Sequence, residues 1–97
     1  MNSKTKIFNT NSSKEFLLNF DLFKSNLVNN IIIKLNFNNF DIVSEKLLQL
    51  SNQSKKINKS LVIVSSDFHH EYINVVPTIK EAHDIVEIEE IERDLNL

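Results

Sequence analysis

Ile31-Ile32-Ile33-Lys34-Leu35-Asn36-Phe37 is the stretch that decides the fold. It opens on three β-branched residues, so a strand here is apolar on both faces. Such a strand belongs in the middle of a parallel sheet with helices on either side. Leu61-Val62-Ile63-Val64 reads the same way and is bounded by Ser65, Ser66 and Asp67. Between the two, Asn38 to Asp41 reads as a turn, and Asp41 is a good N-cap for a helix running to Lys56 or Ile57. Val43, Leu47, Leu50 and Ile57 share one face of that helix, with Leu48 beside them, while Lys46, Lys55 and Lys56 face water. Asn58 to Ser60 closes it.

Upstream, Lys4 to Asn9 is a short strand candidate. Ser12 and Glu15 then have capping-box spacing, and Phe16, Phe20, Phe23 and Leu27 recur at helical intervals, with Leu17 and Val28 widening the stripe. The pair Asn29-Asn30 ends this helix. Downstream, Phe68 to Glu71 is a short link and Tyr72 to Val76 a third core strand, ended by Pro77, which has no N–H to donate to a ladder. Thr78 and Glu81 make a second capping box. The last helix then points Ile79, Ala82, Ile85, Val86, Ile88, Ile91 and Leu95 inward, with Glu89 and Arg93 four apart in the favoured order for a surface pair. The order strand, helix, strand, helix, strand, strand, helix predicts an α/β domain. Its sheet is four-stranded and mostly parallel, with three main helices and right-handed crossovers. With no internal repeat and no Pro- or Ser-rich linker, residues 1–97 read as one domain, its core spanning roughly 5–95.

Composition narrows the function. The chain has no cysteine, so it has no disulfide framework, thiolate metal site or cysteine nucleophile. It has no glycine, so no P-loop or dinucleotide fingerprint is possible. No apolar run approaches the ~18 residues needed to span a bilayer, and Met1 to Asn11 lacks an apolar signal core. A cytoplasmic protein without a membrane partner is therefore expected. Residues 1–60 carry nine lysines against Glu15, Asp21, Asp41 and Glu45, a net of +5. Residues 61–97 carry Lys80 and Arg93 against nine acids, a net of −7. The lysines are spread out and there is a single arginine, so no nucleic-acid partner is predicted. Asparagine occurs 14 times, which places Asn-x-Ser triplets at Asn11, Asn52 and Asn58 by composition alone.

Residues that could carry chemistry are few. His69 and His70 point in opposite directions if extended, His83 lies on the last helix, and neither a His-x-His-x-Asp-His nor a His-Glu-x-x-His run is present. No metal or other cofactor is predicted. The acids from Glu87 to Asp94 spread around a helix with no ligand loop after them. Ser44, Ser65 and Ser66 lack the neighbouring glycine of a nucleophile turn and read as cap or turn residues. No enzyme activity is expected.

Three segments in order carry a resemblance. They are Asn30 to Asp41, then Lys59 to Ser65, then Ile73-Asn74-Val75-Val76-Pro77-Thr78-Ile79-Lys80-Glu81-Ala82-His83-Asp84. Together they resemble the STAS domain of anti-sigma factor antagonists. More narrowly, they resemble small STAS-like proteins of Bacteroidetes bacteria, whose ends read much like Val75 to Leu95. The resemblance implies a mostly parallel sheet flanked by helices and a protein-binding, regulatory role. Its partner would be an anti-sigma factor that is also a kinase. In signalling members of the family that kinase phosphorylates a serine beside an aspartate at the start of the second long helix, and the added charge breaks the complex. Here Asp41 matches the aspartate, Ile42 occupies the serine position, and the glycine that follows in the family is missing. Ser44, one turn into the helix, is the substitute phosphorylation candidate.

The expected partner-binding residues are Asn38, Asp41, Ile42, Ser44 and Glu45, acting without the usual phosphoserine switch. Two alternatives stand beside this. One is a self-associating structural module, a homodimer formed through a sheet edge or an apolar helix face. The other is an accessory role beside a ribonuclease Z-type nuclease, because some short look-alikes carry that label. The chain itself lacks the nuclease's histidine motif and much of the length its metallo-β-lactamase core requires.

Overall fold

A computed structural model describes residues 5–95. The elements run β1 (Thr5–Thr10), α1 (Ser13–Leu18), α2 (Phe20–Ser25), β2 (Asn30–Leu35), α3 (Ser44–Lys56), β3 (Leu61–Val64), β4 (Asn74–Val76) and α4 (Ile79–Leu95). The four strands pair in sequence order, β1-β2-β3-β4, and every pairing is parallel. The α/β reading with a four-stranded sheet thus holds, and "mostly parallel" becomes wholly parallel. Lys4, taken as the start of the first strand, lies outside the described residues.

Each crossover moves one strand further in the same direction. Crossovers of one hand therefore put α1, α2 and α3 on the same face of the sheet. That face holds the larger core, where Phe16, Phe23, Leu47 and Leu50 pack on Ile31, Ile33 and Ile63. The β3–β4 crossover contains no helix. It runs as irregular chain on the same face, with Phe68 and Ile73 buried in that core. On the other face α4 alone packs Ala82 and Val86 on Ile32, Val62 and Val64. Ile33, Leu35, Val62 and Ile63 are all buried, as a strand covered on both faces requires.

The first helix is broken in two where one helix was expected. The Asn19 side chain donates to the Glu15 carbonyl at 2.9 Å, and the Asn26 side chain donates to the Leu22 carbonyl at 2.8 Å. Each asparagine takes a carbonyl of the preceding turn, the competition that makes this residue a helix terminator. The chain turns after each break, so Phe16, Phe23 and Leu27 stay buried, but Leu17 and Val28 are exposed and do not widen the stripe. The first capping box has shifted by one residue. Ser12 Oγ accepts from the Glu15 amide at 3.0 Å, but Glu15 Oε1 accepts from the amide of Asn11.

Helix α3 ends in a Schellman turn. The amides of Asn58 and Lys59 bond back to the carbonyls of Lys55 and Ser54. Asn58 takes the left-handed conformation, φ 59°, that a glycine would normally fill in a chain that had one. Ile57, expected on the inner face, is turned outward by this ending and is exposed.

The largest departure is in α4. Ala82 and Val86 are buried and Ile79 and Ile85 half-buried, but Ile88, Ile91 and Leu95 are 50%, 53% and 79% exposed. The half-buried positions of the carboxyl half are Glu89, Glu90 and Arg93. Glu89 accepts from Asn74 at 2.8 Å, Glu90 from Asn30 at 2.8 Å, and Arg93 donates to Ser60 Oγ at 3.1 Å. Glu89 and Arg93 therefore do not form the surface pair their spacing suggested. Their partners begin or precede β2, β3 and β4, because the seventeen-residue helix, about 25 Å long, reaches past the amino ends of the short strands.

Candidate partner surface at the carboxyl end of the sheet

The carboxyl ends of β2 and β3 open into a cleft of about 320 Å³, lined by Lys34, Phe37, Asn38, Ser65, Asp67 and Pro77 among others. Loops leave the rigid scaffold of the sheet here, and binding residues are commonly carried on such loops. Ser65 Oγ accepts from the amides of Asp67 and Phe68, at 3.2 and 3.1 Å, which makes it the pivot of the turn leaving β3.

Asn38 lines this cleft, while Asp41, Ile42, Ser44 and Glu45 lie on the adjoining turn and first turn of α3. The structure therefore brings the five predicted residues to one corner, but not into one cavity. Asp41 is not the helix cap. Val43 occupies that position with helical backbone angles and no side-chain cap bond. The reason is packing: Val43 is fully buried and Phe40 half-buried, which draws the turn inward. The Phe40 carbonyl then accepts from both Val43 and Ser44 amides, at 3.1 and 2.9 Å, and Asp41 is left exposed on the outside of the turn. Ile42 is 54% exposed beside it, Ser44 is half-buried, and Glu45 faces water.

A row of aromatic rings, not anticipated from the sequence, supports this corner. Phe37 stacks near Phe40 at 5.9 Å, Phe40 meets Phe68 at 5.0 Å, Phe68 meets His70 at 6.1 Å, and His70 meets Tyr72 at 6.1 Å. Phe68 is buried, His70 half-buried and Tyr72 exposed, so the row runs from the core out to the surface. His70 Nδ1 accepts from the Tyr72 amide at 3.0 Å, while His69 and His83 are exposed and far apart in the chain. Among the described residues no three His, Cys, Asp or Glu side chains converge as metal ligands would, and no helix is long and apolar enough to cross a membrane.

A second cleft, of about 300 Å³, lies at the opposite end of the sheet between α3 and α4, where Lys55 donates to the Tyr72 carbonyl at 3.2 Å. The ring row thus leads from the corner of α3 to the edge of this second cleft, which Tyr72 also lines. Comparison with known proteins finds no matching family model, no matching curated protein and no matching solved structure.

Proposed function

We propose that this chain is a non-catalytic interaction module of the STAS type, regulatory in role, which binds a partner protein through the corner from Asn38 to Glu45. By the resemblance, that partner is an anti-sigma factor of the kinase kind. Ile42 is the observation that carries the reading. It is an exposed apolar side chain between the exposed Asp41 and the first turn of α3, on a turn anchored from beneath by Phe40 and Val43. An exposed apolar side chain on a rigid support is a natural knob for a partner's pocket, with its polar neighbours forming the rim. Ile42 cannot accept phosphate, so the contact is constitutive, without the serine switch of signalling relatives.

Affinity capture from the native cell followed by mass spectrometry supplies the partner, and a charge scan then tests the surface. Ile42→Glu and Ser44→Glu are expected to weaken binding at least tenfold, and Glu92→Lys, on the far helix, to leave it unchanged. Loss of binding with Glu92→Lys alone would move the interface to α4 and end this reading. Phosphate on Ser44 in native protein would keep the surface but remove the claim of a constitutive contact. A second reading, self-association, is favoured by β1, which is an end strand of the sheet and carries the exposed Ile7 on the face that α4 covers. A clean monomer in light scattering removes it.

A further inference from the structure

The carboxyl half of α4 has its amphipathic sense reversed. A helix lying on a sheet normally turns its apolar side down and its charged side out. Here Glu89, Glu90 and Arg93 are turned toward the sheet, while Ile88, Ile91 and Leu95 stand outward in a line at the one- and two-turn spacing of a helix seam. The orientation is clamped. Asn30 is fully buried, donates to Glu90 at 2.8 Å and accepts from the Ser60 amide at 2.9 Å; Asn74 and Ser60 hold Glu89 and Arg93. Rolling the helix to bury the isoleucines would break these bonds and leave a buried amide unpaired, at a cost comparable to the burial gained. The exposed stripe is therefore built into the fold.

Charge selects what covers it. Glu87 and Asp94 are exposed along one flank of the stripe and Glu92 along the other; Asp84, one turn before Ile88 on the same side of the helix, pairs with Lys80 at 3.5 Å. Arg93 is on the inward side. A second copy packing antiparallel about Ile91 would bring Glu87 of one chain beside Asp94 of the other, a repulsive pairing. A seam of three apolar residues with acids on both sides instead complements an apolar seam flanked by Lys or Arg. We propose that the outer face of the carboxyl half of α4 docks a basic amphipathic helix of a partner protein, separately from the corner at α3.

The probe is a synthetic Leu/Lys peptide with leucines at i, i+3, i+4 and i+7. It is compared with a scrambled peptide of the same composition and with a Leu/Glu peptide, all titrated into the full chain and followed by amide chemical shifts and fluorescence anisotropy. The Leu/Lys peptide is expected to bind, with shifts confined to residues 84–95. Binding is expected to weaken at least tenfold for the double variant Ile88→Ser, Ile91→Ser and for Glu87→Lys with Glu92→Lys, and to stay unchanged for Ile42→Glu. No binding, shifts centred elsewhere, or equal binding of the scrambled peptide overturns the proposal. So does a concentration-dependent dimer abolished by Ile91→Ser, which would make a second copy the occupant.

Discussion

On the face of the sheet covered by α1, α2 and α3, cohesion is apolar and aromatic; on the face covered by α4, it is divided between a small apolar cluster and a polar clasp. The first face buries Phe16, Phe23, Leu47 and Leu50 against three strands, and Phe8, Phe16 and Phe23 meet ring to ring at 5.1 and 5.2 Å. The second buries only Ala82 and Val86 from its helix, and then hands over to Asn30, Ser60 and Asn74. Apolar burial scales with area and tolerates small shifts, whereas hydrogen bonds fix a rotation. The first face therefore supplies most of the stability. The second fixes the angle at which α4 presents its outer side.

This contrast can be broken by substitution. Phe16→Ala, on the aromatic face, is expected to cost about 3–5 kcal/mol in a urea denaturation series, a large share of the ~5–15 kcal/mol available to a domain of this size. A loss under 1 kcal/mol would show that the face is not the main support. Asn30→Ala, at the clasp, removes one bond to Glu90 and the acceptor of the Ser60 amide and is expected to cost about 1–3 kcal/mol, with hydrogen-exchange protection lost first in the last two turns of α4. Glu89→Ala, whose bond to Asn74 is exposed, is expected to cost under ~1 kcal/mol by the same measurement. Ile42→Ser and Ile88→Ser, on the two outer surfaces, are expected to change stability by no more than about 0.5 kcal/mol. A loss of 2 kcal/mol at either would mean that the side chain belongs to the core.

The sequence makes the centre of the sheet plain and its margins obscure. Ile31 to Leu35 and Leu61 to Val64 are legible because apolar residues at consecutive positions leave a two-sided strand as the simplest solution. Spacing gives the first half of the inner face of α3, with Val43, Leu47 and Leu50 buried, but not its end, where Ser51 and Ser54 are buried and Ile57 is exposed. Spacing fails for Ile88, Ile91 and Leu95 because periodicity reports that an apolar side exists, not what lies beneath it, and the strands end before the helix does. It fails again at Asp41, where a good capping residue loses to the burial of Val43. It fails at Asn19 too, whose side-chain bond to the turn behind it breaks an otherwise continuous pattern. At the candidate corner, five residues clustered in sequence remain clustered in space. The ring row beneath them joins two distant loops, and a link of that kind leaves no local mark.

Strand order equal to chain order has a consequence for assembly during synthesis. Thr5 pairs with Asn30, Ile31 with Leu61 and Val62 with Asn74, so each new strand closes a loop of only 12 to 30 residues on the strand just made. The sheet can grow from one edge with modest loop entropy at each step. The bond from Asn30 to Glu90 spans 60 residues and waits for the whole of α4. Until that helix arrives, Ile32, Val62 and Val64 have nothing over them. The nascent chain is then a sheet covered on one side only, and α4 is its closing latch.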